Sequence, residues 1–215
     1  MPHKPRLSGE AWIRSRRKRL LDLFLLLWLL PFAFGIAVFS IIALLPRHGR
    51  RVVLAQKRVG RGGQLFVIHK LRTMTRGHRL TRMGSLLAIL GADETPQLIY
   101  TIWTGKMALI GPRPLVPQDF PKMKLALSPQ EYEQWYVAYT NCRPGWMGAF
   151  SRQSRLYVAQ SQEYLRARYA YDTFYLKNAC LTLDIIILAK SLTMWCTPPQ
   201  RVWSALLKLA ALRKV

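Results

Sequence analysis

The stretch from Leu23 to Leu45, LFLLLWLLPFAFGIAVFSIIALL, is 23 residues long and carries no charged side chain. A straight helix of that length would reach roughly 35 Å, enough to cross the hydrocarbon core of a bilayer. Arg14, Arg16, Arg17, Lys18 and Arg19 precede it, and Arg47, Arg50 and Arg51 follow it. Basic flanks are retained on the cytoplasmic side of a membrane, and here both ends make that demand. Pro31, inside the run, removes a helical hydrogen bond and is expected to bend the axis. A re-entrant helix that enters, bends at Pro31 and returns to the same face satisfies both conditions. A single tilted transmembrane helix with a proline kink is the alternative. A cleavable signal peptide fits poorly, because the run is too long and no small-residue cleavage site follows it.

The same pairing of charge and apolarity holds for the whole chain. Its 215 residues include 33 Lys+Arg against 10 Asp+Glu, a formal charge of +23, and 51% are hydrophobic. A soluble nucleic-acid binder needs the basic surface but not the apolar excess, so no nucleic-acid partner is expected. The combination suits a protein lying against anionic membrane lipids. Cys142, Cys180 and Cys196 are widely spaced and odd in number, which gives no disulfide framework and points to a reducing cytosol. The four histidines have no zinc-site spacing.

These features divide the chain into a basic segment 1–18, a re-entrant membrane helix 19–46, a catalytic domain 47–197 and a basic amphipathic tail 198–215. The expected fold class is α+β: a compact, mostly helical cytoplasmic domain with a small β-hairpin and interfacial amphipathic helices. Arg51 to Gln56 and Gln64 to Lys70 read as the two hairpin strands, joined by a turn at Gly60-Arg61-Gly62-Gly63. Helices are expected over Leu80 to Leu90, from an Asp93 N-cap to Trp103, over Ser128 to Tyr139, and as one long helix from Tyr164 to about Leu192. The pattern of Arg201 to Val215 suits a helix in the membrane interface. Asp184, in an apolar helical stretch, is expected to pair with Lys190 or an upstream Arg in a structural role.

Between Asp22 and Asp93 the sequence has no carboxylate, and Asp93-Glu94 is its one adjacent acidic pair. Ahead of the pair run Lys57, Arg58, Arg61, Lys70, Arg72, Arg76, Arg79 and Arg82. Arg and Lys in such number match phosphate. At a helix start the positive dipole end favours an ionised acid and a phosphate beside it. An ionised aspartate can act as a nucleophile, and two hard carboxylates with phosphate point to Mg²⁺. A helix cap with no further role is the plain alternative. Arg113, between Pro112 and Pro114, is displayed from a rigid base suited to bidentate phosphate contact. The Gly60 turn is no phosphate loop, since it lacks the Gly-Lys-Ser/Thr ending.

The ordered strings Gln56-Lys57-Arg58-Val59-Gly60, Phe66 through His69-Lys70-Leu71-Arg72-Thr73-Met74, Asp93-Glu94-Thr95-Pro96-Gln97-Leu98 and Gly111-Pro112-Arg113-Pro114 resemble the bacterial sugar transferases. These are the monotopic phosphoglycosyl transferases of surface-glycan assembly. Arg79 to Gly84, Arg143-Pro144-Gly145, Tyr171-Asp172 with Tyr175, and Asp184 extend the likeness across about residues 18 to 195. The resemblance implies a re-entrant anchor bent at Pro31 and an active site at the cytoplasmic face of the bacterial inner membrane. It implies transfer of a sugar-1-phosphate from a nucleotide diphospho-sugar, usually a UDP-sugar, to polyprenyl phosphate, initiating exopolysaccharide or another surface glycan. Asp93 would be the nucleophile, forming a phosphosugar-aspartyl intermediate. Glu94 would be its partner near Mg²⁺, with both acids as metal ligands. Lys70, Arg72, Arg113 and Arg143 fall on basic motif positions and would hold phosphate or carboxylate.

The chain departs from that pattern at Ala88 to Ala92, at Tyr100, at Lys106 and from Met147 to Ser151, positions expected to alter substrate contacts. Two competing readings stand beside the transferase. One is a basic membrane-surface protein binding anionic lipid or nucleic acid by charge alone, and the other is a homologue with reduced catalysis. A homodimer is compatible with any of the three.

Overall fold

The computed structural model describes residues 8–74, 87, 92–97, 102–150 and 157–192. The helix expected over Leu80 to Leu90 lies outside the described residues except at Leu87, as do Tyr100, Cys196 and the basic tail. A short helix α1 (Glu10–Arg14) leads into α2 (Arg16–His48), which is 33 residues long, about 50 Å. Ser15 caps α2 by accepting from the Lys18 amide at 3.0 Å. The helix runs unbroken through Pro31 and Pro46.

Only a narrow stripe of α2 is buried: Lys18, Asp22, Leu26, Ala33, Ala37, Ser40 and Leu44, spaced every three, four or seven residues on one face. Phe24, Leu27, Trp28, Phe32, Phe34, Phe39 and Ile42 stand exposed around the rest. So large an exposed apolar surface is the mark of a membrane-contacting helix rather than of a soluble one.

The expected hairpin is present, with each strand shifted toward the C-terminus. Strand β1 (Val53–Val59) pairs antiparallel with β2 (Leu65–Leu71), from Val53 opposite Leu71 to Val59 opposite Leu65. Gly62 and Gly63 turn the chain at φ 71° and 73°, which side chains resist. Alternation buries Phe66 and Ile68 against Leu26, Ile102 and Met107. A second sheet was not read from the sequence: β3 (Ala108–Ile110) lies parallel to β4 (Gly145–Met147). It ties the two proline-glycine motifs together through Gly111 N–H to Met147 O at 2.9 Å and Gly145 N–H to Pro112 O at 2.7 Å. A Cβ at Gly145 would lie 2.1 Å from the Gly111 nitrogen, so only glycine allows this approach.

The single turn Ala92–Glu94 leads into α3 (Thr95–Gln97); residues 98–101 lie outside the described residues, and Ile102 and Trp103 are again helical, as expected of a helix reaching Trp103. Asp93 sits inside the tight turn ahead of α3 instead of at its N-cap. Helix α4 (Asp119–Ala126) was also not foreseen, and α5 (Pro129–Asn141) is fixed by a reciprocal capping box between Ser128 and Glu131. The long helix expected from Tyr164 to Leu192 is two helices, α6 (Gln162–Asn178) and α7 (Leu181–Leu192). The break lets α7 fold back, so that Leu183 and Ile187 join Tyr175 in one core with Leu26 and Leu109. A second core packs Phe120, Met123, Trp135, Tyr139 and Leu165 between α4, α5 and α6.

Asp184 is fully buried, and its cationic partner is Lys18 at 3.1 Å instead of Lys190. Lys18 also holds Asp22 at 2.7 Å, while Trp12 Nε1 and Tyr175 OH each donate to Asp184 at 2.8 Å. These contacts fasten the start of the membrane helix to the domain.

Candidate active site

Three elements converge on the acidic pair. Ala92 packs with Leu44, Val52, Leu71 and Leu87, which seats the acidic turn between α2 and the hairpin. Alternation along β2 puts Lys70 on the face of Phe66 and Ile68, and the Gly-Pro-Arg-Pro loop leaves β3 to bring Arg113 from the other side. Lys70 Nζ and Arg113 Nη2 both contact Glu94 Oε1, the latter at 2.8 Å. A narrow cleft opens here, lined by Arg58, Lys70, Glu94, Arg113 and Trp146 among others.

The two acids differ in a way that adjacency in sequence does not show. Burial alone would raise the Glu94 carboxyl, but Arg113 and Lys70 outweigh it and pull the group down to about 2. Glu94 is thus a fixed anion clamped by two cations. Asp93 forms no ion pair among the described residues. Burial pushes its carboxyl up, Lys70 opposes this from a distance, and the Glu94 charge pushes it up further. Among the described residues Asp93 is thus the carboxylate of the pair that no cation clamps.

The donor set also bears on Mg²⁺. No group of three or more His, Cys, Asp or Glu gathers among the described residues, so no all-protein cage is formed. Mg²⁺ commonly binds through one or two carboxylates with substrate phosphates completing its shell. Asp93 with Glu94 fits that mode, since both described cation contacts of Glu94 fall on Oε1 and a metal would offset the repulsion between the acids.

Four of the six expected site residues, Asp93, Glu94, Lys70 and Arg113, come together. Arg72 is turned away, with its Nε donating to the Arg51 carbonyl at 3.1 Å. Arg143 stands near Arg19 and Arg61, and it is Gly145 and Trp146 of the same loop that reach the cleft. Arg58 and Trp146 were not among the expected site residues. Period-two alternation was the available signal for Arg58, since it shares the inward face of β1 with Leu54 and Gln56.

The Arg113 backbone is itself held from behind. Its carbonyl accepts from Arg168 Nη2 at 2.6 Å and from Tyr139 OH at 3.2 Å. Arg168 lies 3.5 Å from Asp172, whose Oδ2 also accepts from Trp135 Nε1 at 3.4 Å. Burial pushes Asp172 up to about 6 even though Arg168 and Trp135 oppose it. An unfolded aspartate loses its proton near pH 4, so between about pH 4 and 6 the folded state binds the extra proton. The contribution of Asp172 to stability therefore falls as pH rises through that window. Asp172→Asn is expected to flatten this dependence in urea midpoints measured from pH 4 to 7. An unchanged slope would remove Asp172 as its source.

A family model described as bacterial sugar transferase matches residues 13–198. The chain is 28% identical over 200 residues to the exopolysaccharide production protein ExoY of Sinorhizobium fredii, covering 75% of this chain and 82% of that protein. It is 30% identical over 182 residues to an uncharacterized sugar transferase, EpsL, of Bacillus subtilis, covering 80% and 83%. A UDP-glucose:undecaprenyl-phosphate glucose-1-phosphate transferase of Caulobacter vibrioides is 30% identical over 190 residues, covering 81% and 68%.

Proposed function

Because the chain belongs to the bacterial sugar transferase family, we propose that it is a phosphoglycosyl transferase that moves a sugar-1-phosphate from a nucleotide diphospho-sugar to polyprenyl phosphate. A UDP-sugar is the donor in this reading, and the product starts an exopolysaccharide or other surface glycan. The observation that carries it is the division of labour in the acidic pair: Glu94 clamped by Lys70 and Arg113, Asp93 beside them with no ion pair among the described residues. The name of the Caulobacter relative supports the same donor and acceptor classes.

An Asp93 oxygen attacks the sugar-linked phosphorus, the bond to the bridging oxygen breaks, and the nucleoside monophosphate leaves with that electron pair. The phosphosugar is then an acyl phosphate on Asp93. The phosphate oxygen of polyprenyl phosphate attacks the same phosphorus, and the Asp93 carboxylate departs unchanged. Lys70 and Arg113 hold the clamp that fixes Glu94 and present positive charge to the phosphoryl oxygens as charge shifts between them. Asp93 and Glu94 would hold Mg²⁺, which supplies further neutralisation of the diphosphate. In this reading the exposed apolar flank of α2 sits in the membrane, where the lipid acceptor resides. On the same reading the basic residues keep both ends of α2 at one face of the bilayer, so that the helix, continuous through Pro31, is re-entrant and bends there, and the site faces the cytoplasm.

Membranes containing the protein, given a panel of nucleotide diphospho-sugars with Mg²⁺ and polyprenyl phosphate, are expected to release nucleoside monophosphate with at least one donor. Failure to release it with any donor would sink the assignment as an active transferase.

A further inference from the structure

Arg58 is a guanidinium in the wall of the cleft that has no ion-pair partner among the described residues. It shares that wall with Lys70, Glu94 and Arg113. Its Nη2 donates to Gln56 Oε1 at 2.8 Å, which orients the plane of the group. Its Nε is buried and has no hydrogen-bond partner among the described residues. No carboxylate lies within ion-pair distance of it there, and Glu94 is itself engaged by Lys70 and Arg113. Burial lowers its proton affinity and the Arg113 charge lowers it again, with Asp119 and Glu94 compensating only from a distance.

Two guanidiniums side by side, one with an unused buried N–H, repel each other and carry an unmet donor. An anion between them removes both penalties. Phosphate is the anion whose geometry the planar fork of Arg matches. We propose that Arg58 is a phosphate-binding residue of this cleft, its Nε–H and the Arg113 guanidinium together gripping the oxygens of a phosphorylated substrate. The transferase reading supplies the owner of that phosphate, either the donor's diphosphate or the acceptor's lipid-linked monoester. The anion binding itself does not depend on turnover.

The full chain in nanodiscs is titrated with inorganic pyrophosphate, standing for the donor, and with decyl phosphate, standing for the acceptor. Arg58→Gln is expected to weaken at least one probe by about tenfold or more, the scale of a lost charge-assisted hydrogen bond. Its melting temperature should stay level or rise, since a repulsion is removed. Weakening confined to pyrophosphate assigns Arg58 to the donor, and weakening confined to decyl phosphate assigns it to the acceptor. Arg58→Lys keeps the charge without the fork and is expected to fall between wild type and Arg58→Gln, which covers the case of a glutamine variant that does not fold. Equal affinity of wild type and the variants for both probes, or no binding of either probe by wild type, would overturn the proposal. Intact probe binding without monophosphate release would instead count against the transferase reading and leave Arg58 in place.

Discussion

Asp93→Asn is expected to lower monophosphate release by on the order of 10³-fold or more while leaving the fold and membrane association intact, because it removes the nucleophile, and with it one of the two carboxylates proposed to hold Mg²⁺, but no structural contact among the described residues. Asparagine has nearly the same shape, and Asp93 anchors no ion pair among the described residues, so no described cation loses its partner. Burial disfavours the Asp93 charge, so a neutral side chain there relieves a cost instead of adding one. Glu94→Gln should behave differently. It releases Lys70 and Arg113 together, and its loss of activity should come with a loss of stability. The contrast between the two variants separates chemistry from scaffolding. A membrane-surface binder acting by charge alone would tolerate Asp93→Asn fully. Release retained within about tenfold of wild type would rule out covalent catalysis at Asp93.

The elements that could be read from the sequence are those whose signal is local. The hairpin followed from apolar alternation on both sides of a glycine turn, and α5 from Ser128 and Glu131 at capping-box spacing. The membrane helix followed from a charge-free run. The features that could not be read depend on residues far apart in the chain. Nothing in three-residue segments such as Ala108–Ile110 and Gly145–Met147 announces that they pair, because strands so short show no periodicity. The apolar pattern continues through Ala179 and Cys180, so the reversal between α6 and α7 is set by what α7 packs on rather than by a local breaker.

The site shows the same division. Asp93, Glu94, Lys70 and Arg113 sit in recognisable motifs, and the fold gathers them. The motif positions of Arg72 and Arg143 carry equal charge, yet the Arg51 carbonyl holds Arg72 elsewhere and Arg143 stands outside the cleft, near Arg19 and Arg61. Charge in a motif states what a residue can bind, and only packing states where it points.

The largest effect on stability is expected from Lys18→Met. Lys18 is buried between Asp22 at 2.7 Å and Asp184 at 3.1 Å, and the three side chains are 3%, 2% and 0% exposed. Leu26, Leu109 and Leu183 belong to the apolar core that α2, β3 and α7 build around this point. Methionine fills similar volume but leaves two carboxylates facing each other without a cation. Removing one partner of a buried ion pair costs about 3–5 kcal/mol, against a total of about 5–15 kcal/mol for an ordinary domain. Thermal melting in nanodiscs should fall by roughly 6–20 °C at about 2–4 °C per kcal/mol. Asp22→Asn should cost less than this, because the Lys18–Asp184 pair and the Trp12 and Tyr175 hydrogen bonds survive it. Combined with Lys18→Met it should recover part of the loss by removing one stranded charge. The damage should appear first as release of α1 and the start of α2, seen as faster hydrogen exchange around Trp12 before the Trp135 and Tyr139 core opens. A drop of less than about 2 °C for Lys18→Met would mean that water reaches the cluster, and that apolar contacts alone hold the membrane helix to the domain.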